Sequence, residues 1–283
     1  MKIPYIDGDW QVLFRPEQNG NYVNDHTIVK GSDGDYHLYG ITGFGGGSYT
    51  ERYFVHAKGD TLLAPMQEEG RSIDRGTLAW APCVIGEGEN YYMFYGPSPT
   101  QLAVSFDMYE WFGYPIRLEG EPLMAAHRDH FVLKIGEGNY LMYVVGVYQQ
   151  RGAVSLFRSA DLLHWQFAGY ALTSGEEAPL HPGWGAMESP YVVQRDGRYY
   201  LFITYTDCEA ENYNNTLVFA SDDPTSFGEY NGEGEGAKPV AHLYAHAPEV
   251  LSVDGQDYIT TCGWNGFPNP NPGCVSIAPL NWK

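Results

Sequence analysis

The chain has 283 residues, with 16 Lys and Arg against 35 Asp and Glu, for a formal net charge of −19. So acidic a surface repels phosphate backbones and argues against nucleic acid as a partner, and no run approaches the roughly 20 apolar residues of a membrane-spanning helix. Because the first residues, Met1 to Asp7, lack the apolar stretch of a signal peptide, the expectation is a cytoplasmic protein with no membrane partner.

Taken in chain order, the sequence repeats. Asp25-His26-Thr27-Ile28-Val29 passes through Ser32-Asp33-Gly34-Asp35 into Tyr36-His37-Leu38-Tyr39, two runs suited to strands around a turn. Trp80-Ala81-Pro82-Cys83-Val84-Ile85 leads in the same way to Tyr91-Tyr92-Met93-Phe94-Tyr95. Asp129 opens a third hairpin, Glu188 a fourth through Arg195-Asp196-Gly197, and Ala247 a fifth. Eleven residues after each of these anchors stands a tyrosine: Tyr36, Tyr92, Tyr140, Tyr199 and Tyr258. The anchors are 48 to 59 residues apart, in or just above the range of propeller blades and other supersecondary repeats.

A second marker follows the hairpins. Ser105, Ser159, Ser221 and Ser276 each stand six residues before an aromatic, namely Trp111, Trp165, Phe227 and Trp282. This predicts a turn between outer strands, in which the serine bonds the local backbone and the ring packs between sheets. Five copies of four strands predict an all-β fold, a five-bladed β-propeller of four-stranded antiparallel blades, with residues 1–283 as one domain and inner strands starting near 25, 81, 129, 188 and 247. The glycine-rich stretches 43–48, 231–236 and 269–273 are blade loops, and the first lacks the lysine that follows a phosphate-binding turn. Cys83, Cys208, Cys262 and Cys274 show no Cys-x-x-Cys spacing, so buried free thiols are expected rather than a zinc site, with a Cys262–Cys274 pair as the alternative.

If each anchor begins the innermost strand of its blade, Asp25, Ala81, Asp129, Glu188 and Ala247 ring one mouth of the channel. Asp129 and Glu188 then sit in adjacent blades, with Asp25 facing them. Like charges held close raise the pKa of one partner. A protonated carboxyl suits a general acid and a separate ionised one suits a base or nucleophile, which together make the chemistry of glycoside cleavage. Singly, each acid reads as a turn or cap. Three in one register, at a channel where buried charge is costly, favour catalysis.

These residues resemble the five-bladed propeller furanosidases of glycoside hydrolase families 43, 32, 68 and 117. Asn24-Asp25 resembles the first-blade Asn-Asp-Pro motif, with His26 for proline, and Trp80-Ala81-Pro82-Cys83-Val84 resembles the Trp-Ala-Pro-Asp-Val signature of family 43, with Cys83 for aspartate. Arg128-Asp129 is similar to the Arg-Asp-Pro motif of families 32 and 68, with His130 for proline, and Glu188-Ser189-Pro190-Tyr191 to the Glu-Gly-Pro-Tyr element of family 43. The resemblance implies Asp25 as nucleophile or base, Asp129 as the residue that orients the sugar and raises its neighbour's pKa, and Glu188 as acid. It also implies retention for families 32 and 68, with carboxyls about 5–5.5 Å apart, and inversion for family 43, at about 6.5–9.5 Å; inversion is favoured here.

The remaining candidates are substrate-binding. Arg128 bonds sugar hydroxyls or holds Asp129 ionised, and Trp80, Trp184 and Phe44 stack on a sugar face or pack between blades. His26 and His130, in place of the two prolines, reshape the sugar pocket or bring groups that titrate near neutrality beside the acids, a plain packing role being the alternative. For His246 the resemblance implies a structural calcium ion in the channel, a packed histidine being the alternative; no other cofactor is called for. The expected reaction is hydrolysis of a terminal β-fructoside, α-arabinofuranoside or β-xyloside in a small oligosaccharide or glycoside. The alternatives are a glycoside phosphorylase or transglycosylase on the same fold, with Arg52, Arg71 and Arg75 as phosphate candidates, and a non-catalytic carbohydrate-binding propeller.

Overall fold

All five repeat tyrosines fall on the second strand of a hairpin, each paired antiparallel with the strand before it. The computed structural model describes residues 1–45, 48–120, 124–181, 183–207 and 210–283; Gly46 and Gly47 of the first glycine-rich loop and Cys208 lie outside the described residues.

Five sheets follow in chain order. The first blade holds Asn24–Lys30, Tyr36–Ile41, Phe54–Gly59 and Gln67–Ser72, the second Trp80–Glu87, Asn90–Gly96, Gln101–Ser105 and Phe112–Tyr114, and the fourth Met187–Arg195, Arg198–Tyr205, Thr216–Ser221 and Ala241–Leu243. The third is built on Ala125–Gly136, Asn139–Tyr148, Arg151–Ser159 and His164–Ser174. Arg117–Glu119 and Gly228–Tyr230, arriving from the neighbouring blades, add parallel pairings to its outer strand. Three strands of the fifth blade, Val250–Val253, Gln256–Thr261 and Val275–Trp282, come from the C-terminal end, and its outer strands Pro4–Ile6 and Gln11–Phe14 come from the N-terminal end. Pairing the two ends of the chain in one sheet closes the propeller and leaves only short edges.

Side-chain bonds stitch the inner strands around the ring. Val84 N–H donates to Thr27 Oγ1 at 3.4 Å, Val132 N–H to Cys83 Sγ at 3.4 Å and Ser189 N–H to Asp129 Oδ2 at 3.1 Å. Tyr191 O–H donates to the Val250 carbonyl at 3.1 Å, and Ile28 N–H to Glu249 Oε2 at 2.8 Å. Every seam between blades is crossed once by this set.

The serine marker works as expected in the second and third blades. Ser105 Oγ accepts from Met108 N–H at 2.8 Å while Asp107 Oδ1 accepts from the N–H groups of Tyr109 and Glu110, and Ser159 and Asp161 repeat the pattern on Leu162, Leu163 and His164. The aromatics then reach the preceding blade. Trp111 stands edge-on to Tyr39, Trp165 to Phe94, and Trp282 to Tyr200, with ring centres 5.5, 5.7 and 4.8 Å apart. The fourth instance of the marker is different: Ser276 and Trp282 lie on one uninterrupted strand, because the N-terminal strands supply the outer edge and the chain has no turn to make there. Cys83, Cys262 and Cys274 are buried free thiols.

The closing seam carries a pH dependence. Burial pushes the Glu249 carboxyl up to about 8, so between the unfolded value and about 8 the folded state holds a proton that the unfolded state has released. Stability from this group is therefore complete at low pH and falls as pH rises to about 8, by up to about 1.4 kcal/mol per pH unit. Burial holds His26 and His130 down at about 3, which acts in the opposite sense but only below their unfolded value near 6.5. Melting temperatures should thus fall from pH 6.5 to pH 8 in the wild type and more gently in Glu249→Gln, whose amide oxygen still accepts from Ile28. Parallel curves for the two proteins would show that Glu249 does not titrate in this window.

Candidate active site

At the head of each inner strand one residue takes a left-handed backbone conformation. These are Asp25 (φ 30°), Ala81 (47°), Asp129 (55°), Ser189 (49°) and Ala247 (46°). The strand pairing slips at the same places, between Asn24 and His26, Trp80 and Cys83, Arg128 and His130, and Glu188 and Tyr191. Each is a bulge that redirects the side chains on either side of it. Ser189, not Glu188, therefore occupies the ring position of Asp25 and Asp129, and Glu188 is the counterpart of Asn24, Trp80, Arg128 and His246. The sequence holds a signal for this register: Ala81-Pro82, Ser189-Pro190 and Ala247-Pro248 align on proline, with His26 and His130 in the same column. The tyrosine count conceals it, because Tyr199 is only ten residues from Ser189.

The bulge sorts side chains by depth. Asn24, Trp80, Arg128 and Glu188, from the position before it, line an open-mouthed cavity of about 180 Å³ together with Asp25, Asp129, Ile41, Ser48, Glu51, Trp184 and Trp264. His26, Pro82, His130, Pro190 and Pro248, from the position after it, line the narrow channel below. The three predicted acids thus share one cavity although they do not share one register.

Ser189 joins two of them, its hydroxyl donating to Asp25 Oδ1 and its N–H to Asp129 Oδ2. Arg128, almost fully buried, joins the other pair: Nη2 donates to Glu188 Oε1 at 3.1 Å and Nε lies 3.5 Å from Asp129 Oδ2. It also donates to the carbonyls of Ala126 and Met187, and its guanidinium lies over the Trp184 ring, 4.7 Å from the centre. Trp184 is set in place by a close backbone approach, since a Cβ on Gly152 would collide with the Gly185 carbonyl. Behind Glu188, His246 brings Nε2 to 3.5 Å from Oε2 and stacks on Tyr213 with ring centres 3.9 Å apart. Tyr213 O–H donates to Asn24 Oδ1, and Asn24 donates in turn to Asp25 Oδ2 at 3.3 Å.

The electrostatics differ from the simple pair expected of Asp129 and Glu188. Burial raises Asp25, against the pull of His246 and with a push from Glu188. Burial also raises Asp129, to about 7; Arg128 opposes this, and the charges of Asp25 and Glu188 add to it. His246 is raised as well: burial works against its charged form, and the contact with Glu188 and the charge of Asp25 outweigh it. The site is one coupled set of three carboxyls facing two cations.

The other candidates separate. Trp80 and Trp184 wall the cavity 6.2 Å apart, and Trp80 Nε1–H donates to the Ser48 carbonyl. Phe44 is 60% exposed and lines a neighbouring hollow with Phe267, which meets the main cavity at Ser48 and Trp264. His26 and His130 point away from the upper cavity, bonded to Thr260 and Thr100 at 2.8 Å, and burial keeps them neutral instead of titrating near pH 7. His246 bonds the Cys262 carbonyl through Nδ1 and faces Glu188 through Nε2. Glu51 and Trp264 were not legible as site residues, because both stand in loops outside the repeat. Burial pushes Glu51 up to about 7, and its Oε1 accepts from Tyr22 O–H and Trp264 Nε1–H, both at 2.9 Å.

Comparison with solved structures finds the same fold. A thermostable family 43 glycoside hydrolase matches with a TM-score of 0.66 at 16% identity, over 95% of this chain and 92% of that one. A family 43 enzyme from Xanthomonas citri, complexed with xylotriose, gives 0.65 at 15% identity, over 96% and 89%. A family 32 β-fructofuranosidase of Bombyx mori gives 0.64 at 17% identity over 99% of this chain, which spans only 62% of that longer protein. No curated protein matches the sequence. The family model for glycosyl hydrolases family 43 matches residues 121–277, more than half of the chain and the part that carries Arg128, Asp129, Glu188 and His246. The chain belongs to glycosyl hydrolases family 43 and is a glycosidase.

Proposed function

We propose that the enzyme hydrolyses the terminal glycosidic bond of a small oligosaccharide of furanose or related sugars, such as an α-arabinofuranoside, β-xyloside or β-fructoside, with Asp25 as base and Glu188 as acid. The observation that carries this reading is that Asp25, Asp129 and Glu188 open into one cavity walled by Trp80, Trp184 and Trp264. Apolar ring faces beside a few convergent polar groups suit a sugar. Xylotriose in the Xanthomonas citri enzyme and the β-fructofuranosidase activity named for the Bombyx mori protein support the range of sugars proposed.

The division of labour sets a requirement on charge. With His246 protonated, three carboxyls facing it and Arg128 are neutral as a set when one carries a proton. Catalysis needs that proton on Glu188, where it passes to the leaving oxygen, and needs Asp25 ionised to activate water. Burial raises Asp25, and the charge of His246 and the Ser189 hydroxyl offset part of that rise in favour of the ionised form. Asp129, fixed by Ser189 N–H and Arg128, orients the sugar and adds negative potential at its neighbours. Phosphorolysis would need a cation for phosphate. Arg128, the one cation among the described lining residues, is bonded to Glu188, while Arg52, Arg71 and Arg75 bond Gly76, Asn19 and Tyr95 away from the cavity.

A panel of aryl glycosides and short oligosaccharides tests these roles. Glu188→Gln should lose roughly 10²–10⁴-fold in kcat on oligosaccharides and much less on aryl glycosides whose leaving group departs without a proton. Asp25→Ala should lose activity on both kinds of substrate. Near-wild-type turnover in both variants would remove the assignment. Proton NMR of the first-formed product should show the inverted anomer; a retained anomer would make Asp25 a nucleophile rather than a base.

A further inference from the structure

We propose that Glu51 is a specificity-determining residue, whose second carboxylate oxygen accepts a hydrogen bond from a hydroxyl of the terminal sugar. The proposal rests on the glycosidase reading of the cavity and adds a residue outside the repeat and its motifs.

Glu51 follows the single turn Ser48–Thr50 in the loop between Tyr36–Ile41 and Phe54–Gly59. Its backbone is pinned on both sides: its N–H donates to the Ser48 carbonyl at 3.3 Å, and its carbonyl accepts from Ala79 N–H at 3.0 Å. The side chain is 1% exposed and lines the cavity that holds Asp25, Asp129 and Glu188. A buried carboxyl with no cation beside it is costly to keep, and its neighbour Arg52 turns away to the Gly76 carbonyl.

The bonding of the group is one-sided. Both donors, Tyr22 from the approach to the first blade and Trp264 from the fifth blade, end on Oε1. A carboxylate offers about four acceptor sites on two oxygens, and among the described residues no donor ends on Oε2. Trp264 and Trp80 line the same cavity as Glu51, so a sugar ring held there comes within reach of this oxygen. The occupant is a neutral, polyhydroxylated ring, because Glu51 adds a fourth carboxyl to a cavity that would repel a uronic acid or a sugar phosphate.

Two roles for Glu51 give different results in Glu51→Gln. If Glu51 only anchors Tyr22 and Trp264, the amide oxygen takes over Oε1 and nothing else changes. For the same reason the amide N–H₂ is forced onto the Oε2 side, where it replaces an acceptor with a donor. Isothermal titration with arabinose, xylose and fructose, and with the monosaccharide product of any glycoside that is hydrolysed, reads the difference directly. The expected result is a wild-type melting temperature for Glu51→Gln, affinity for the bound sugar weaker by roughly 10- to 100-fold, and a loss in turnover that falls more on KM than on kcat. Binding within about twofold of wild type would overturn the proposal, as would a wild-type protein that binds none of these sugars. Absence of glycoside hydrolysis alongside Glu51-dependent sugar binding would instead overturn the catalytic reading and leave the sugar site in place.

Discussion

Five left-handed residues at the heads of the inner strands set the geometry of everything above and below them. In the first four blades a bulge at that point sends the preceding side chain up into the cavity, and the residue after the left-handed one goes down into the channel. Non-glycine residues in this conformation cost on the order of 1–3 kcal/mol each and persist only where the surroundings hold them. Here the surroundings are the closed ring, bonded across each seam, and the conformation costs least for aspartate, which is among the residues that tolerate it. Two of the five left-handed residues are aspartates, and a third is the serine that bonds both.

Function and stability pull in opposite directions around this ring. Asp25, Asp129, Glu51 and Glu249 are all raised by burial, so each loses stability as pH climbs toward neutrality. Arg128 and His246 offset part of that cost by standing between the acids. Perturbed groups so concentrated in one cavity are characteristic of a site shaped for chemistry rather than for rigidity. The aromatic contacts between neighbouring blades and the strands from the N-terminal end hold the frame in which this strain is tolerated.

The fold was legible because its signals are local and repeated. A tyrosine on each second strand and the Ser-x-Asp turns of the second and third blades report backbone geometry directly. The site was legible to the level of residues and not of register: Asp25, Asp129, Glu188, Arg128, Trp80 and Trp184 do converge, yet Glu188 arrives from the position before the bulge. Counting from tyrosine could not detect a hairpin one residue shorter, whereas the proline column could. His26 and His130 were placed beside the acids in sequence, and the alternation of faces puts them below. Glu51, Trp264 and the N-terminal strands of the fifth blade depend on contacts between distant parts of the chain, which no repeat encodes.

The central claim is that the three acids behave as one coupled set. Carbon-13 NMR of aspartate carboxyls, titrated in the wild type and in Glu188→Gln, measures this without any substrate. The account predicts an Asp129 carboxyl that titrates near 7 in the wild type and at lower pH once the charge of Glu188 is removed. An Asp129 that titrates near 4, the ordinary aspartate value, in both proteins would contradict it.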